Sequence, residues 1–203
     1  MINLHNCDCM DFVAKCNNNQ YDLAIVDPPY GIERFKKINK GDAVHSENDN
    51  DKNWNNIKPS DDYFNELFRI SKNQIIWGAN NFNLPTSEYF IIWDKKQMYP
   101  NFARCEMAYT NVKKPAKIFE YSVMKIAGNK KHPAEKPIAL YKWLLKNYAK
   151  PKDKILDTHG GSMSIAIACH DMGFDLDLCE LDKDYFEAGK KRYENHISQV
   201  RMF

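Results

Sequence analysis

Two short segments hold residue types and spacings that could do chemistry. Asp27-Pro28-Pro29-Tyr30 directly follows the apolar run Tyr21 to Val26. Pro29 locks its own φ and the paired prolines stiffen the turn. The Asp27 carboxylate and the Pro28 carbonyl then become two fixed acceptors, with the aromatic plane of Tyr30 beside them. Such a set suits a planar exocyclic amine, offering two acceptors for its hydrogens and a ring for stacking. The same residues also read as a rigid strand-to-loop turn in which Tyr30 packs. The second segment, Asp157-Thr158-His159-Gly160-Gly161-Ser162, follows Lys154-Ile155-Leu156, and Glu180 ends the next apolar run. Strand, glycine turn, helix and acid-terminated strand form the half-unit of a nucleotide-binding sheet. Gly160 and Gly161 would let the backbone approach a ligand, and Glu180 would accept hydrogen bonds from ribose hydroxyls. An ordinary tight turn with Ser162 as a helix cap is the alternative. The segment is not a P-loop, and the usual G-x-G-x-x-G is absent.

Positioning these residues requires alternating strands and helices, which argues an α/β fold. Strands are expected at Ile2 to His5, Tyr21 to Val26, Gln74 to Trp77, Tyr89 to Trp93, Met107 to Thr110, Ile118 to Val123, Lys154 to Leu156 and Asp175 to Cys179. The fifth and sixth of these suggest an antiparallel hairpin. Helices are expected over Asp11 to Lys15, after Ser60 as a cap, from Pro137 through Tyr148, over Ile165 to Cys169 with a stop at Gly173, and over Tyr185 to Ile197. The Asn-rich stretch Glu33 to Asn56 reads as a long loop.

The chain has 203 residues, which at roughly 150 per domain predicts a single domain over 1–203. Its hydrophobic fraction of 43% excludes global disorder. A net charge of +2 excludes a polybasic scaffold, so any nucleic-acid contact must rest on local charge. The middle of the chain supplies it: Lys95, Lys96, Arg104, Lys113, Lys114, Lys117, Lys125, Lys130 and Lys131, against mainly Asp94, Glu106 and Glu120. The stretch from Asp171 to Glu187 is instead acid-rich. Neither a signal peptide nor a membrane span is read, which predicts a cytoplasmic location. Cys7, Cys9, Cys16, Cys105, Cys169 and Cys179 lack zinc-site spacing; no metal is expected, and Cys169 and Cys179 read as core residues. His45, His170 and His196 read as surface or packing residues, and Phe35 and Trp54 as satellite packing.

Several segments in order resemble the S-adenosylmethionine-dependent amino DNA methyltransferases. Asp27 to Tyr30 is similar to their catalytic turn. Asp157 to Ser162 is similar to their cofactor glycine turn, with His159 at the family's aromatic position. The catalytic turn precedes the glycine turn, as in the permuted β group. His5-Asn6-Cys7-Asp8, Trp77-Gly78-Ala79-Asn80-Asn81-Phe82, Ile91 to Lys95, Cys105 to Ala108 and His132-Pro133-Ala134-Glu135-Lys136-Pro137 resemble further family segments. The resemblance covers most of the chain. It implies a Rossmann-like class I methyltransferase fold, circularly permuted, with a mostly parallel seven-stranded sheet and one antiparallel strand.

It also implies site-specific methylation of adenine N6 in DNA, with S-adenosyl-L-methionine as cofactor and a role such as restriction–modification in a bacterial or phage-infected cell. Asp27, Pro28, Pro29 and Tyr30 are then catalytic. Asp8, Cys9, Asp27, Lys136, Asp157, His159, Gly160, Gly161, Ser162, Glu180 and Leu181 would bind the cofactor. The expected partner is double-stranded DNA with the target base flipped out. A homodimer is expected because small members of the group often dimerise. No separate target-recognition domain is left in 203 residues. The alternatives are N4-cytosine methylation, an RNA or protein-amide methyltransferase, and an inactive nucleic-acid-binding homologue.

Overall fold

The structure is a computed structural model that describes residues 1–31, 58–98, 103–124 and 135–199. The expected Asn-rich loop with Phe35, His45 and Trp54, the basic residues Lys125, Lys130 and Lys131, and His132 to Ala134 lie outside the described residues. The elements run β1 (Ile2–Asn6), α1 (Cys9–Val13), β2 (Tyr21–Val26), α2 (Asp61–Ile70), β3 (Ser71–Trp77) and a 3-10 turn (Ala79–Asn81). There follow β4 (Phe90–Asp94), β5 (Cys105–Thr110), β6 (Lys117–Glu120), α3 (Ile138–Tyr148), β7 (Lys154–Asp157), α4 (Ser164–Met172), β8 (Asp175–Glu180) and α5 (Lys183–Ser198).

One eight-stranded sheet organises them, in the order β1-β8-β7-β2-β3-β5-β4-β6. β5 runs antiparallel to both its neighbours and the other pairs are parallel. The resemblance implied seven strands with one antiparallel; the antiparallel strand is there, and the sheet has the eight strands expected from the residues themselves. The expected hairpin between the fifth and sixth strands does not form, because β4 lies between them. β6 pairs parallel with β4 from Ile91↔Lys117 to Asp94↔Glu120. Trp93 Nε1 donates to the Tyr121 carbonyl at 2.9 Å just beyond, fixing that register.

The central strands are apolar on both faces, as strands covered on both sides must be. Leu23 and Ile25 of β2 enter the core under α3, α4 and α5, while Ala24 and Val26 enter the opposite core under α1 and α2. This is the two-residue alternation of a pleated strand. α2 turns Tyr63, Phe64, Leu67 and Ile70 inward, and Asp61 and Asp62 in its first turn suit the helix dipole. Ser60 occupies the cap position there, but its side chain makes no cap hydrogen bond. α1 begins two residues before the expected start because the Asp8 carboxylate accepts the Met10 N–H at 2.7 Å. α4 ends at Gly173, in the left-handed region at φ 74°. Cys169 and Cys179 are buried core residues, as expected, and Cys16 is buried too. No helix among the described residues is long and apolar enough to cross a membrane.

β1, β8, β7 and β2 are adjacent and parallel, so their carboxyl ends share one rim. That edge is where open α/β sheets bind ligands. Asp8, Glu180, Asp157 and Asp27 stand on it, although the chain separates them by up to the length of most of the domain.

Candidate active site

Asp27 stands immediately beyond β2, mostly shielded from solvent, and both of its oxygens are engaged. Oδ1 accepts the Tyr30 hydroxyl at 2.6 Å, and Oδ2 pairs with the Lys136 ammonium. Lys136 precedes α3 and is 4% exposed. Its Nζ also lies 3.3 Å from the Tyr30 hydroxyl and 3.2 Å from Glu106 Oε2 on β5. The Glu106 Oε1 oxygen pairs with Lys95 at 2.5 Å. Charges therefore alternate along Asp27, Lys136, Glu106 and Lys95. Burial works against the charges of Asp27, Lys136 and Glu106. The two carboxylates nonetheless hold Lys136 cationic with a raised pKa, and the two lysines hold Glu106 down to about 2. Burial raises the Asp27 pKa, Lys136 opposes that rise, and Glu106 adds to it.

The Tyr30 ring is seated on Gly78, where the chain turns out of β3 at φ 70°. It meets Phe82 edge-on, with centroids 6.1 Å apart. Trp77 closes the floor, with Lys136 Nζ 5.3 Å from its ring centre. The Trp77-Gly78-Ala79-Asn80-Asn81-Phe82 stretch singled out in the sequence thus shapes the wall of this pocket.

The second half of the site is the turn after β7. Asp157 is buried and accepts the His159 N–H at 3.0 Å. Burial, with Asp27 and Glu180 nearby, pushes its carboxyl up to about 8. Gly160 must be glycine for packing alone, since a Cβ would lie 2.2 Å from Leu178 Cδ2. Glu180 Oε2 accepts the Gly161 N–H at 2.7 Å and Oε1 accepts the Asp182 N–H at 2.9 Å. The carboxylate thus braces the glycine turn and keeps lone pairs for further donors. Ser162 does not cap α4. Its hydroxyl meets Ser164 at 3.0 Å, and its carbonyl accepts from Arg192 at 2.7 Å. Arg192 also pairs with Glu135 at 2.7 Å, tying α5 to the segment that carries Lys136.

Asp8 and Cys9 open α1 on the same rim. Burial, with Asp8 alongside, pushes the Cys9 thiol up to about 12, so it stays protonated near neutral pH. Leu181 is an exposed apolar side chain just past Glu180. These residues fit S-adenosyl-L-methionine in charge. Burial holds the carboxyl pKa values of Asp157 and Glu180 high, and the cofactor carries a sulfonium and an ammonium that would favour their ionised forms. An apolar rim beside Glu180 suits a purine.

His159 sits where the family carries an aromatic residue. Its ring meets Tyr63 edge-on at 5.4 Å, and Nδ1 lies 2.9 Å from Thr158 Oγ1, which is itself 2.6 Å from the Tyr63 hydroxyl. Burial depresses its pKa to about 4. The unfolded chain therefore binds a proton below about pH 6.5 that the folded chain refuses, and stability falls as pH drops through that window. His159→Phe removes this proton linkage and leaves Asp157 unchanged. Relative to the unmodified protein, the variant should gain about 2 kcal/mol between pH 7.5 and pH 5. Urea titrations at the two pH values measure it, and equal differences at both would refute a neutral buried His159.

The expected phosphate-facing lysines divide. Lys95 is turned inward onto Glu106, Lys96 pairs with Asp94 and Glu120, and Lys114 and Lys117 bond Asn147 at the end of α3. The acids that look sparse in the sequence are placed to neutralise the first two. His196 bonds Asp171 at 2.7 Å and His170 meets Tyr193 edge-on, consistent with packing roles. Sequence reasoning assigned no site role to Glu106, Tyr63, Thr158 or Arg192. Glu106 carried a signal, as a lone acid among lysines in a strand segment resembling the family. The others had none, because each acts through a partner far away in the chain.

Residues 70–191 match the model of the N6/N4 DNA methylase family. The turn at Asp27 to Tyr30 precedes the matched region and joins it through β2, which lies between β7 and β3. The chain is 24% identical to the type II methyltransferase M2.MboI of Moraxella bovis, over 94% of this chain and 87% of the relative. It is 25% identical to the putative methylase YubD of Escherichia coli strain K12, over 91% and 87%. Among solved structures, the M1.HpyAVI–SAM complex superposes with a TM-score of 0.64 at 18% identity, covering 95% of this chain and all of that one. The cytosine-N4-specific PvuII DNA methyltransferase superposes with a TM-score of 0.63 at 13% identity, covering all of this chain and 88% of that one. These superpositions show the shared fold. With the family model spanning more than half of its length, the chain belongs to the N6/N4 DNA methylase family of S-adenosylmethionine-dependent DNA methyltransferases.

Proposed function

We propose that this chain transfers a methyl group to N6 of adenine in DNA, with the target base extruded from the duplex. The observation that carries the reading is Asp27, a shielded carboxylate at the end of β2 whose Oδ1 is held by the Tyr30 hydroxyl at 2.6 Å. An exocyclic amine would take the place of that hydroxyl, donating to Asp27 and to the Pro28 carbonyl. The freed Tyr30 ring would stack on the base. Adenine N6 is a poor nucleophile because its lone pair is delocalised into the ring. Two fixed acceptors draw it toward tetrahedral geometry, so positioning and electrostatics supply most of the rate. The bound cofactor supplies the electrophilic methyl on its sulfonium. Asp157, His159, Gly160, Gly161, Ser162 and Glu180 would hold it, with Asp8, Cys9 and Leu181 around its adenine ring. A base that must enter this pocket is stacked in duplex DNA, so the reading includes base flipping.

Aspartate at the head of the catalytic turn favours adenine N6 over cytosine N4 within the family. The reading includes a catalytic domain over 1–203, a homodimer and a cytoplasmic setting. Incubating the protein with tritiated S-adenosyl-L-methionine and DNA, then identifying the labelled nucleoside by mass spectrometry, tests it. Label in N6-methyladenosine of the deoxy series supports the reading; label in N4-methyldeoxycytidine overturns the choice of base. Label in RNA or protein alone overturns the substrate.

A further inference from the structure

Lys136 has two carboxylates within reach and a full bond to one. It is seated on Asp27 Oδ2. On its other side Glu106 Oε2 is 3.2 Å away, buried, and without a directed hydrogen bond. A buried carboxylate oxygen left in that state is costly unless something comes to occupy it. The other Glu106 oxygen is fixed by Lys95, and Lys95 lies 5.4 Å from the centre of the Trp93 ring, so the acceptor is held in place. Meanwhile the place an incoming amine would take, that of the Tyr30 hydroxyl on Asp27 Oδ1, lies 3.3 Å from the Lys136 ammonium. An amine that donates both its hydrogens offers that ammonium no acceptor, so Lys136 must draw back from it.

We propose that Lys136 is a movable positioning residue, seated on Asp27 in the structure and received by Glu106 when a target amine takes the place of the Tyr30 hydroxyl. The proposal rests on the reading of Asp27 as the acceptor for that amine. Glu106 lowers the cost of clearing Asp27, because the ammonium leaves one buried carboxylate for another and is never without a partner. Lys136 stays close enough to keep Asp27 ionised, so the carboxylate remains an acceptor. Tyr30 touches Asp27 directly, and Asp157 and Tyr141 also face it electrostatically. Neither Asp157 nor Tyr141 contacts the ammonium.

The test uses Glu106→Gln and Lys136→Met in the full chain. Asp27 ionisation is followed by carboxyl-carbon NMR, assigned with Asp27→Asn, alongside single-turnover methylation and cofactor affinity. Glu106→Gln commits Lys136 to Asp27, so Asp27 should titrate at lower pH than in the unmodified protein. Single-turnover methylation should fall about tenfold or more with cofactor affinity unchanged. Lys136→Met should move the Asp27 titration the opposite way, and its methylation should recover as pH is raised. Lys136→Arg should restore the normal titration. Both titration shifts follow from charge alone, so the rates decide: a merely structural role would lower methylation in both variants alike at every pH, with no recovery in Lys136→Met as pH rises, which overturns the proposal. Full methylation by Glu106→Gln also overturns it. An unmodified protein that never labels DNA would instead remove the methylation reading, and this proposal with it.

Discussion

Asp27→Ala should abolish methyl transfer, with a loss of at least about 1,000-fold, while S-adenosyl-L-methionine binds within about threefold of normal. The asymmetry follows from the layout. The carboxylate stands at the end of β2, where it faces Tyr30 and Lys136, whereas the glycine turn follows β7 and is braced by Glu180 and Arg192. Removing Asp27 takes away an acceptor for the amine and leaves that turn untouched. It also leaves Lys136 with Glu106 as its remaining carboxylate, so some stability is lost and folding must be checked by circular dichroism. Asp27→Asn keeps the volume, replaces one acceptor by a donor, and should be nearly as inactive. Tritium incorporation and isothermal titration calorimetry measure the two halves of the prediction. Turnover near normal in either variant would sink the assigned role of Asp27.

Gly78→Ala should cost stability and activity together. Gly78 has φ 70°, where an alanine is strained by about 1–2 kcal/mol. Its new Cβ would also lie 2.2 Å from Tyr30 Cε1. The aromatic ring cannot flex away as a long aliphatic chain would, because its hydroxyl is tied to Asp27 and its edge meets Phe82. Overpacking of this kind costs about 1–3 kcal/mol more. Together these imply a fall in Tm of roughly 5–15 °C for a chain of this size. Methylation should fall further than in Tyr30→Phe, since the alanine displaces the whole ring and the phenylalanine removes only its hydroxyl. Thermal melts and initial rates of the two variants provide the comparison. A Tm equal to that of the unmodified protein would show that Tyr30 does not rest on Gly78.

Much of the fold was legible because its signals are local. Buried strands read as apolar runs, Gly173 stops α4 and Pro137 marks the start of α3. The order of Asp27 before Asp157 and Glu180 needed only the sequence, and the sheet shows why that order works. The first strand, β1, pairs parallel with the last, β8. The chain can therefore begin at a different point of the same sheet without moving the rim. The place of β6 was not legible, because strands adjacent in sequence suggest a hairpin, and nothing local reveals that β4 will lie between β5 and β6.

The same division holds in the site. Residue type and spacing by themselves determined that Asp27, Asp157 and Glu180 end strands, that two prolines stiffen the first turn, and that a glycine turn opens the second. Only the tertiary structure decided what each carboxylate touches. Lys136 belongs to Asp27 and Glu106, residues 109 and 30 positions away, and Lys95 is a half-buried partner of Glu106. Strand-end positions follow from local hydrophobic patterning, which a sequence carries openly. Charge pairing in a low-dielectric interior depends on which distant segments packing brings within a few ångströms, and that is settled only when the sheet is assembled.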